Sequence, residues 1–437
     1  MKLVYSPRPY YGRDMPQLED RNKFGIHFCW KDNIYTLLTT LENDRIKIST
    51  DRSSAYAEFK LFEEDRVLIS FSYSSNCPVV LPELKLTGMQ RLEDTVNFWN
   101  KWIDQCKYKG FYEEHVKRSA LLLKLLAHAP SGAIIAAPTT SLPEKIGGER
   151  NWDYRFCWLR DASLTVEVLI ELGFKEEAHA YMGWIIYSTR LTRPKLQVVY
   201  SVYGHTFLKE RSLDWLTGYK ESTPVRIGNK ADYQFQLDLY GEVLQAVYSY
   251  SQLIEKFDRD TREFIVGLGE VICKLWDKPD NGIWEIRSAR IHHTHSKAMA
   301  WIGLDRIIKL AQKYNWKNAP IEKYRKVANK IYEVIENCGY NQDLKSYTRE
   351  LNGMTADASL LTLPILGYIE YNAERMISTR DFINRELSTG SLLYRYYGEE
   401  DGITGDEGSF GICNFWLAKN YAWQEILKQQ LKYLKLC

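Results

Sequence analysis

Past Tyr112 the chain alternates two kinds of helical segment, and no other feature constrains its fold as strongly. One kind is amphipathic and charged: YEEHVKRSALLLKLLAH, FKEEAHAYMGWIIYSTR, TREFIVGLGEVICKLW and PIEKYRKVANKIYEVIENC. The other is apolar and rich in small residues: RDASLTVEVLIELG, DLYGEVLQAVYSYSQL, HSKAMAWIGLDRIIKLA, ADASLLTLPILGYI and EGSFGICNFWLAKNYAW. A helix apolar nearly all round is buried, whereas an amphipathic one lies at the surface. About eleven such segments, outer and inner by turns, predict an α/α toroid, a ring of helical hairpins around an inner barrel. An irregular helical bundle is the alternative.

Ahead of this region the period shortens. NKFGIHFCW, NIYTLLTTL, DRIKIST, AYAEFKLF and RVLISFSYS alternate and turn often, which predicts antiparallel strands. The expected organisation is a β region over 1–88, a helical linker over 89–111 and a helical domain over 112–437. The linker helix is expected from about Leu92, with Glu93 and Asp94 in its first turn.

Composition removes several classes of function. Lys and Arg number 58 against 56 Asp and Glu, which gives no electrostatic case for nucleic acid or an anionic membrane. The eight cysteines form no C-x-x-C, and no H-E-x-x-H occurs, so neither a disulfide framework nor a zinc finger is expected. The histidines of HHTH (His292, His293, His295) are not at helical metal spacing, and no metal site is expected there. No apolar leader or spanning run is present, which makes the cytoplasm the expected compartment.

The chemistry gathers in the loops that precede the apolar helices. GERNWDYRFCWLRDAS (148–163) interleaves Trp152, Tyr154, Phe156 and Trp158 with Asn151, Asp153 and Arg155, and ends on Arg160–Asp161. Flat apolar faces beside directed charges suit a sugar ring, which has apolar C–H faces and hydroxyl edges; a half-buried strand with wet charges is the bland alternative. In DNGIWEIRS, Asp280-Asn281-Gly282 predicts a turn, with Glu285 behind Trp284. A carboxyl against an indole is desolvated and stays protonated, as a general acid requires. A surface Glu paired with Arg287 is the competing reading. In YRYYGEEDGITGDEGSF, Glu407 opens an apolar helix, as base or as a first-turn acid favoured by the helix dipole. Glu399, Glu400, Asp401 and Asp406 compete with it for the role of base. No nucleophile elbow, Walker loop or dinucleotide fingerprint appears.

Taken together and in order, these pieces resemble glycoside hydrolase family 15, the glucoamylase and trehalase family. The matching stretches are APTTSLPE, GERNWDYRFCWLRDAS, DLYGEVLQAV, GIWEIR, THSKAMAWIGLDR, ADASLL, YRY and DGITGDEGSFGICNFWLA. The resemblance implies an N-terminal β-sandwich-like domain, a helical linker and an (α/α)6 catalytic barrel. It implies exo-acting, inverting hydrolysis of α-glucosidic bonds with no cofactor. Glu285 would then be the general acid and Glu407 the general base, with carboxyls roughly 6.5–9.5 Å apart to admit a water. Arg160 and Asp161 would hold hydroxyls of the non-reducing glucose, Trp158 and Trp284 would wall the pocket, and Asp357 would join the substrate-binding set.

The implied substrate is a maltooligosaccharide, a starch-type glucan or trehalose, with neither nucleic acid nor membrane as partner and oligomerisation left open. The NWDYRFCWLRDA wording resembles the subgroup that includes microbial trehalases, so glucoamylase-like and α,α-trehalase activities both stand. A catalytically impaired relative that binds sugar or serves assembly is the alternative of another class. Relatives usually carry more sequence ahead of PRPYYGR and a further inner helix beyond LKQQLKYLKLC. The chain is therefore expected to be trimmed at both ends, with an open flank beside Glu407 and weak activity on its own.

Overall fold

The computed structural model describes residues 1–42, 45–75, 82–397 and 408–423. The chain forms two compact units, Met1–Asp104 and the part from Gln105 onward.

The first unit holds two antiparallel sheets. One is ordered β1-β6-β5, from Lys2–Tyr5 (β1), Lys47–Ile48 (β5) and Ala55–Glu58 (β6). The other is ordered β2-β3-β4-β7, from Glu19–Asp20 (β2), Ile26–Trp30 (β3), Asn33–Thr39 (β4) and Ile69–Ser75 (β7). Alternation sets which residues point inward: Ile26 and Phe28 of β3 bury with Leu37 of β4, Leu18 and Ala55 in one small core. Helix α1 follows at Leu84–Ile103. It starts at Leu84 rather than near Leu92, so Glu93 and Asp94 lie mid-helix. Gly88 lies inside it, where a Cβ would come within 2.6 Å of Leu68 Cδ1.

The second unit is built as the period predicts. Outer helices α2 (Glu113–Leu126), α4 (Lys175–Thr189), α6 (Arg259–Leu275), α8 (Ile321–Val334) and α9 (Glu374–Leu387) accompany inner helices α3 (Leu159–Leu172), α5 (Asp238–Tyr250), α7 (Thr294–Lys313) and α10 (Gly411–Trp423). In α8 only Tyr324, Ala328 and Ile331 are buried, one narrow stripe, whereas α7 is buried nearly all round from Thr294 to Ala311. Helix α6 starts on a capping Asp258, whose Oδ1 accepts from the Thr261 N–H at 2.9 Å. Helix α3 ends on Gly173 at φ +102°, a left-handed stop that glycine takes without steric cost.

One inner position departs from the expectation. ADASLLTLPILGYI forms a short 3-10 helix at Ala358–Thr362 followed by turns. Pro364 has no N–H to give a helical ladder, so the apolar period is packed without a regular α-helix although Leu363 itself keeps helical angles. The C-terminal stretch, residues 424–437, lies outside the described residues. No helix among the described residues is long and apolar enough to cross a membrane.

Candidate active site

The segments that lead into the inner helices converge on one cavity of about 580 Å³, inside the roughly 300–1,000 Å³ typical of small-molecule sites. Trp158, Arg160 and Asp161 reach it from the start of α3. Trp284, Glu285 and Arg287 come from the loop before α7, and Gly408, Ser409 and Phe410 from the segment before α10.

The loop carrying Glu285 is held at several points. Asp280, fully buried, accepts through Oδ2 from the Leu237 N–H (3.0 Å), the Gly282 N–H (3.2 Å) and the Ser296 hydroxyl (2.8 Å). Gly282 takes φ +68°, and a Cβ there would meet the His293 ring at 2.7 Å, so the predicted turn needs glycine for both reasons. Asn281 Nδ2 donates to the Ile286 carbonyl at 3.0 Å and closes the loop. Glu285 itself adopts φ +58°. A left-handed non-glycine residue costs roughly 1–2 kcal/mol, and such outliers gather at functional sites.

The indole on Glu285 is not that of its neighbour. Trp158 Nε1 donates to Glu285 Oε1 at 2.6 Å, while Trp284 Nε1 donates to Asp357 Oδ1 at 2.9 Å. The hydrogen bond to Glu285 thus comes from Trp158 and not from the neighbouring Trp284, whose N–H is engaged by Asp357. Arg160 Nη2 lies 3.4 Å from the same carboxyl oxygen, and its Nη1 donates to the Ile283 carbonyl at 2.7 Å. The surface pairing with Arg287 does not occur, because Arg287 is bound to Glu210 through both carboxylate oxygens, at 2.8 and 3.1 Å.

Burial is the main influence on Glu285 and raises its pKa. Arg160 opposes the rise, Asp161 adds to it, and hydrogen bonds from Trp158 and Gln236 oppose it. The carboxyl therefore keeps its proton above the ordinary carboxylate range. Arg160 remains firmly charged: burial works against its cation, but Asp161 and Glu285, then Asp238 and Glu242, outweigh burial. Arg160 Nη2 also lies 3.1 Å from Asp161 Oδ2. Trp158, Arg160, Asp161 and Glu285 thus form one contiguous group.

Trp284 lies nearby in an aromatic cage, with Tyr396, Phe410 and Trp416 at centroid separations of 6.5, 6.1 and 6.1 Å. Asp357 does not line the cavity. It is buried, caps the 3-10 helix through the Ser359 N–H at 2.8 Å, and reaches the site only through Trp284. Glu407 lies outside the described residues, as do Glu399, Glu400, Asp401 and Asp406; Gly408, the residue that follows Glu407, lines the cavity.

Some cavity residues carried no sequence signal of their own. Arg395 lies in the YRY stretch, donates to Glu144 Oε2 at 2.9 Å and sits over Trp284 and Phe410. Its pairing with Glu144 of APTTSLPE links two matched motifs, and only their joint presence hinted at it. Asp238 and Glu242, buried on α5 and acting electrostatically on Arg160, lie outside the cavity lining; they fall in the matched stretch DLYGEVLQAV but were given no role there. The HHTH histidines serve packing, with His293 against Gly282. Among the described residues no group of His, Cys, Asp or Glu is arranged to hold a metal ion.

Residues 110–435 match the model of Glycosyl hydrolases family 15. A trehalase of Thermoplasma acidophilum is 39% identical over 342 residues, covering 78% of this chain and 58% of that protein. A trehalase of Mycobacterium tuberculosis is 34% identical over 378 residues, covering 85% of this chain and 55% of that protein. The chain therefore spans between half and three-fifths of the length of these curated relatives. Among solved structures, a bacterial glucoamylase complexed with acarbose superposes with a TM-score of 0.69 at 13% identity, covering 99% of this chain and 70% of that one. At that identity the likeness concerns the fold, a helical barrel of the (α/α)6 type with an N-terminal antiparallel β region.

Proposed function

The chain belongs to glycosyl hydrolases family 15, and from that premise we propose that it cleaves an α-glucosidic bond by inverting hydrolysis, with α,α-trehalose as the favoured substrate. The observation that carries this reading is the Glu285 carboxyl, held at 2.6 Å by Trp158 beside Arg160 in the cavity, with its pKa raised chiefly by burial. In this reading Arg160 and Asp161 hold hydroxyls of the terminal glucose, with Trp158 and Trp284 as walls. Glu285 protonates the departing glycosidic oxygen while Glu407 takes a proton from the attacking water. Water adds to the anomeric carbon from the face opposite the leaving group, and no cofactor enters.

The names of the relatives support trehalose, because the sequence matches extend across the shared motifs at 34 to 39% identity. Release of glucose from an α-1,4-glucan is the second reading, favoured by the same terminal-glucose clamp, which does not distinguish the two. A substrate panel followed by NMR during early turnover tests both. The terminal glucose released from a maltooligosaccharide should appear first as the β-anomer, whereas trehalose should give α- and β-glucose in equal amounts, because the leaving glucose keeps its α configuration while the attacked one inverts. Release should be faster from trehalose. Initial α-glucose alone, from either substrate, would exclude the inverting roles, and no glucose from any α-glucoside would leave a sugar-binding relative.

A further inference from the structure

Trp152 meets charged groups where the other aromatic residues of the site meet apolar ones. It is half-buried on β9 (Asn151–Asp153), lines the cavity and belongs to neither of the apolar clusters described around it. Charged groups surround it instead. The Arg226 guanidinium lies over its ring at 4.7 Å and that of Arg287 at 4.3 Å. Glu210 joins these cations, bidentate to Arg287 and 3.7 Å from Arg226 Nε. Arg226 Nη1 is fixed further by the Glu149 carbonyl at 2.6 Å. Burial alone would push the Glu210 proton affinity up, but Arg287, then the Lys230 N–H and Arg226, reverse this and hold its carboxyl below the ordinary range. Three charges are thus ordered around one indole that supplies little to the core. A planar guanidinium held bidentate loses little further freedom when a ligand arrives, so the cost of ordering is met before binding.

Position along the chain gives this group its role. Ile283, ahead of Glu285, presents its carbonyl to Arg160, whereas Arg287, beyond Glu285, stands over Trp152. Along the chain Glu285 thus stands between a contact of the Arg160–Asp161 group and the Arg287 that lies over Trp152. A general acid stands where the leaving oxygen departs, so what the oxygen carries away lies beyond Glu285 from the terminal-glucose clamp.

We propose that Trp152, fixed by the Arg226–Glu210–Arg287 cluster, is the wall that receives a hexose leaving group and selects for it. This rests on the function proposed above and adds the residues that read the half of the substrate beyond the scissile bond. The indole supplies an apolar surface to the ring of the departing sugar, and the fixed charges beside it face its hydroxyls.

Two substrates with the same glucosyl half separate the sides of the cavity. Trehalose leaves a second glucose, whereas α-glucosyl fluoride leaves only fluoride, which needs no sugar-shaped wall. In Trp152→Ala the ratio of kcat/KM on trehalose to kcat/KM on the fluoride should fall roughly 10- to 200-fold, the range for a lost pocket contact. Glu210→Gln, which loosens both arginines without touching the indole, should lower the same ratio less, and Trp152→Phe should recover part of it. Equal losses on both substrates would overturn the proposal, since Trp152 would then act on Glu285 or on the glucosyl side. If the unaltered protein cleaves neither substrate, the function itself falls and this inference with it. Turnover of the fluoride with an unchanged ratio in every variant would overturn this inference alone.

Discussion

The indole N–H of Trp158 and the carboxyl of Glu285 meet at 2.6 Å although 127 positions separate them in the chain. The contact fixes which carboxyl oxygen is held and which stays available to a ligand. It also makes α3 and the loop before α7 a single unit, since Arg160, two residues beyond Trp158, grips that loop at the Ile283 carbonyl. The proposed glucose clamp and the proposed acid therefore move together.

Removing the proton from this arrangement should stop the chemistry and leave the shape intact. Glu285→Gln keeps the acceptor that Trp158 needs but donates no proton, so turnover should fall roughly 10²- to 10⁴-fold. Far-UV circular dichroism should be unchanged. Turnover within a factor of a few of the original enzyme would move the acid to another residue.

Trp158 should tune the pH profile as well as the rate. Its hydrogen bond favours the charged form of Glu285, against the burial that raises the pKa. Trp158→Phe removes that bond, so the pKa rises further and the alkaline limb of kcat/KM should move to higher pH. Asp161→Asn removes a neighbouring negative charge that raises the pKa and should move the limb to lower pH. Shifts in the same direction for both variants would mean that the limb belongs to a different group.

Much of this site was legible in the sequence, for reasons that particular residues make plain. Asp280-Asn281-Gly282 encodes its turn locally, and the helical period separates α7 from α8 because burial all round and burial along one stripe need different residues. The indole N–H that reaches Glu285 belongs to Trp158 and not to its neighbour Trp284. An indole's partner depends on backbone direction, and nothing in the local pattern announced a left-handed Glu285. Arg287 likewise has its partner, Glu210, 77 positions away. Asp357 was placed in the substrate-binding set because it sits in a matched motif; the pattern did not show that its carboxyl also holds Trp284 and a helix start.

Asp357→Ala should accordingly act through structure. The lost cap costs roughly 0.5–2 kcal/mol, and the buried Trp284 N–H also loses its acceptor. Urea denaturation should show the loss of stability, and the freed indole should change the intrinsic fluorescence. A wild-type urea midpoint with a large rise in KM would make Asp357 a direct ligand instead.

Asp238 should make stability depend on pH. Burial chiefly, with the negative charge of Asp280 added and Arg160 opposing, lifts its pKa from 3.8 to about 7. Neither carboxylate oxygen has a hydrogen-bond partner among the described residues. The folded chain thus holds a proton that the unfolded chain releases near 3.8. Its stabilising effect is complete below that value and is lost progressively as pH rises to about 7. Asp238→Asn imitates the protonated form, so its urea midpoint should fall less than that of the unaltered protein across this interval. Parallel curves would show that Asp238 is ionised in the fold.

The closest crossing of the inner ring supplies a prediction that depends on no assumption about activity. Gly241 on α5 faces α7 so closely that a Cβ would come within 2.2 Å of the Met299 carbonyl oxygen. That obstacle is backbone inside a helix and cannot step aside unless α5 and α7 separate. Gly303 of α7 lies at the same crossing, but the nearest atoms to its Cβ would be Ile272 Cδ1 at 2.8 Å and Leu244 Cδ1 at 3.1 Å, both ends of flexible side chains. Either substitution to alanine gains up to about 1 kcal/mol in helix propensity. At Gly241 the gain is overridden by overpacking, typically about 1–3 kcal/mol and more where backbone must shift. Gly241→Ala should therefore lower the thermal midpoint clearly, while Gly303→Ala, whose neighbours can change rotamer, should fall much closer to neutral. Equal midpoints for the two variants would mean that α5 and α7 can separate without loss, and that the inner ring is not packed through this glycine contact.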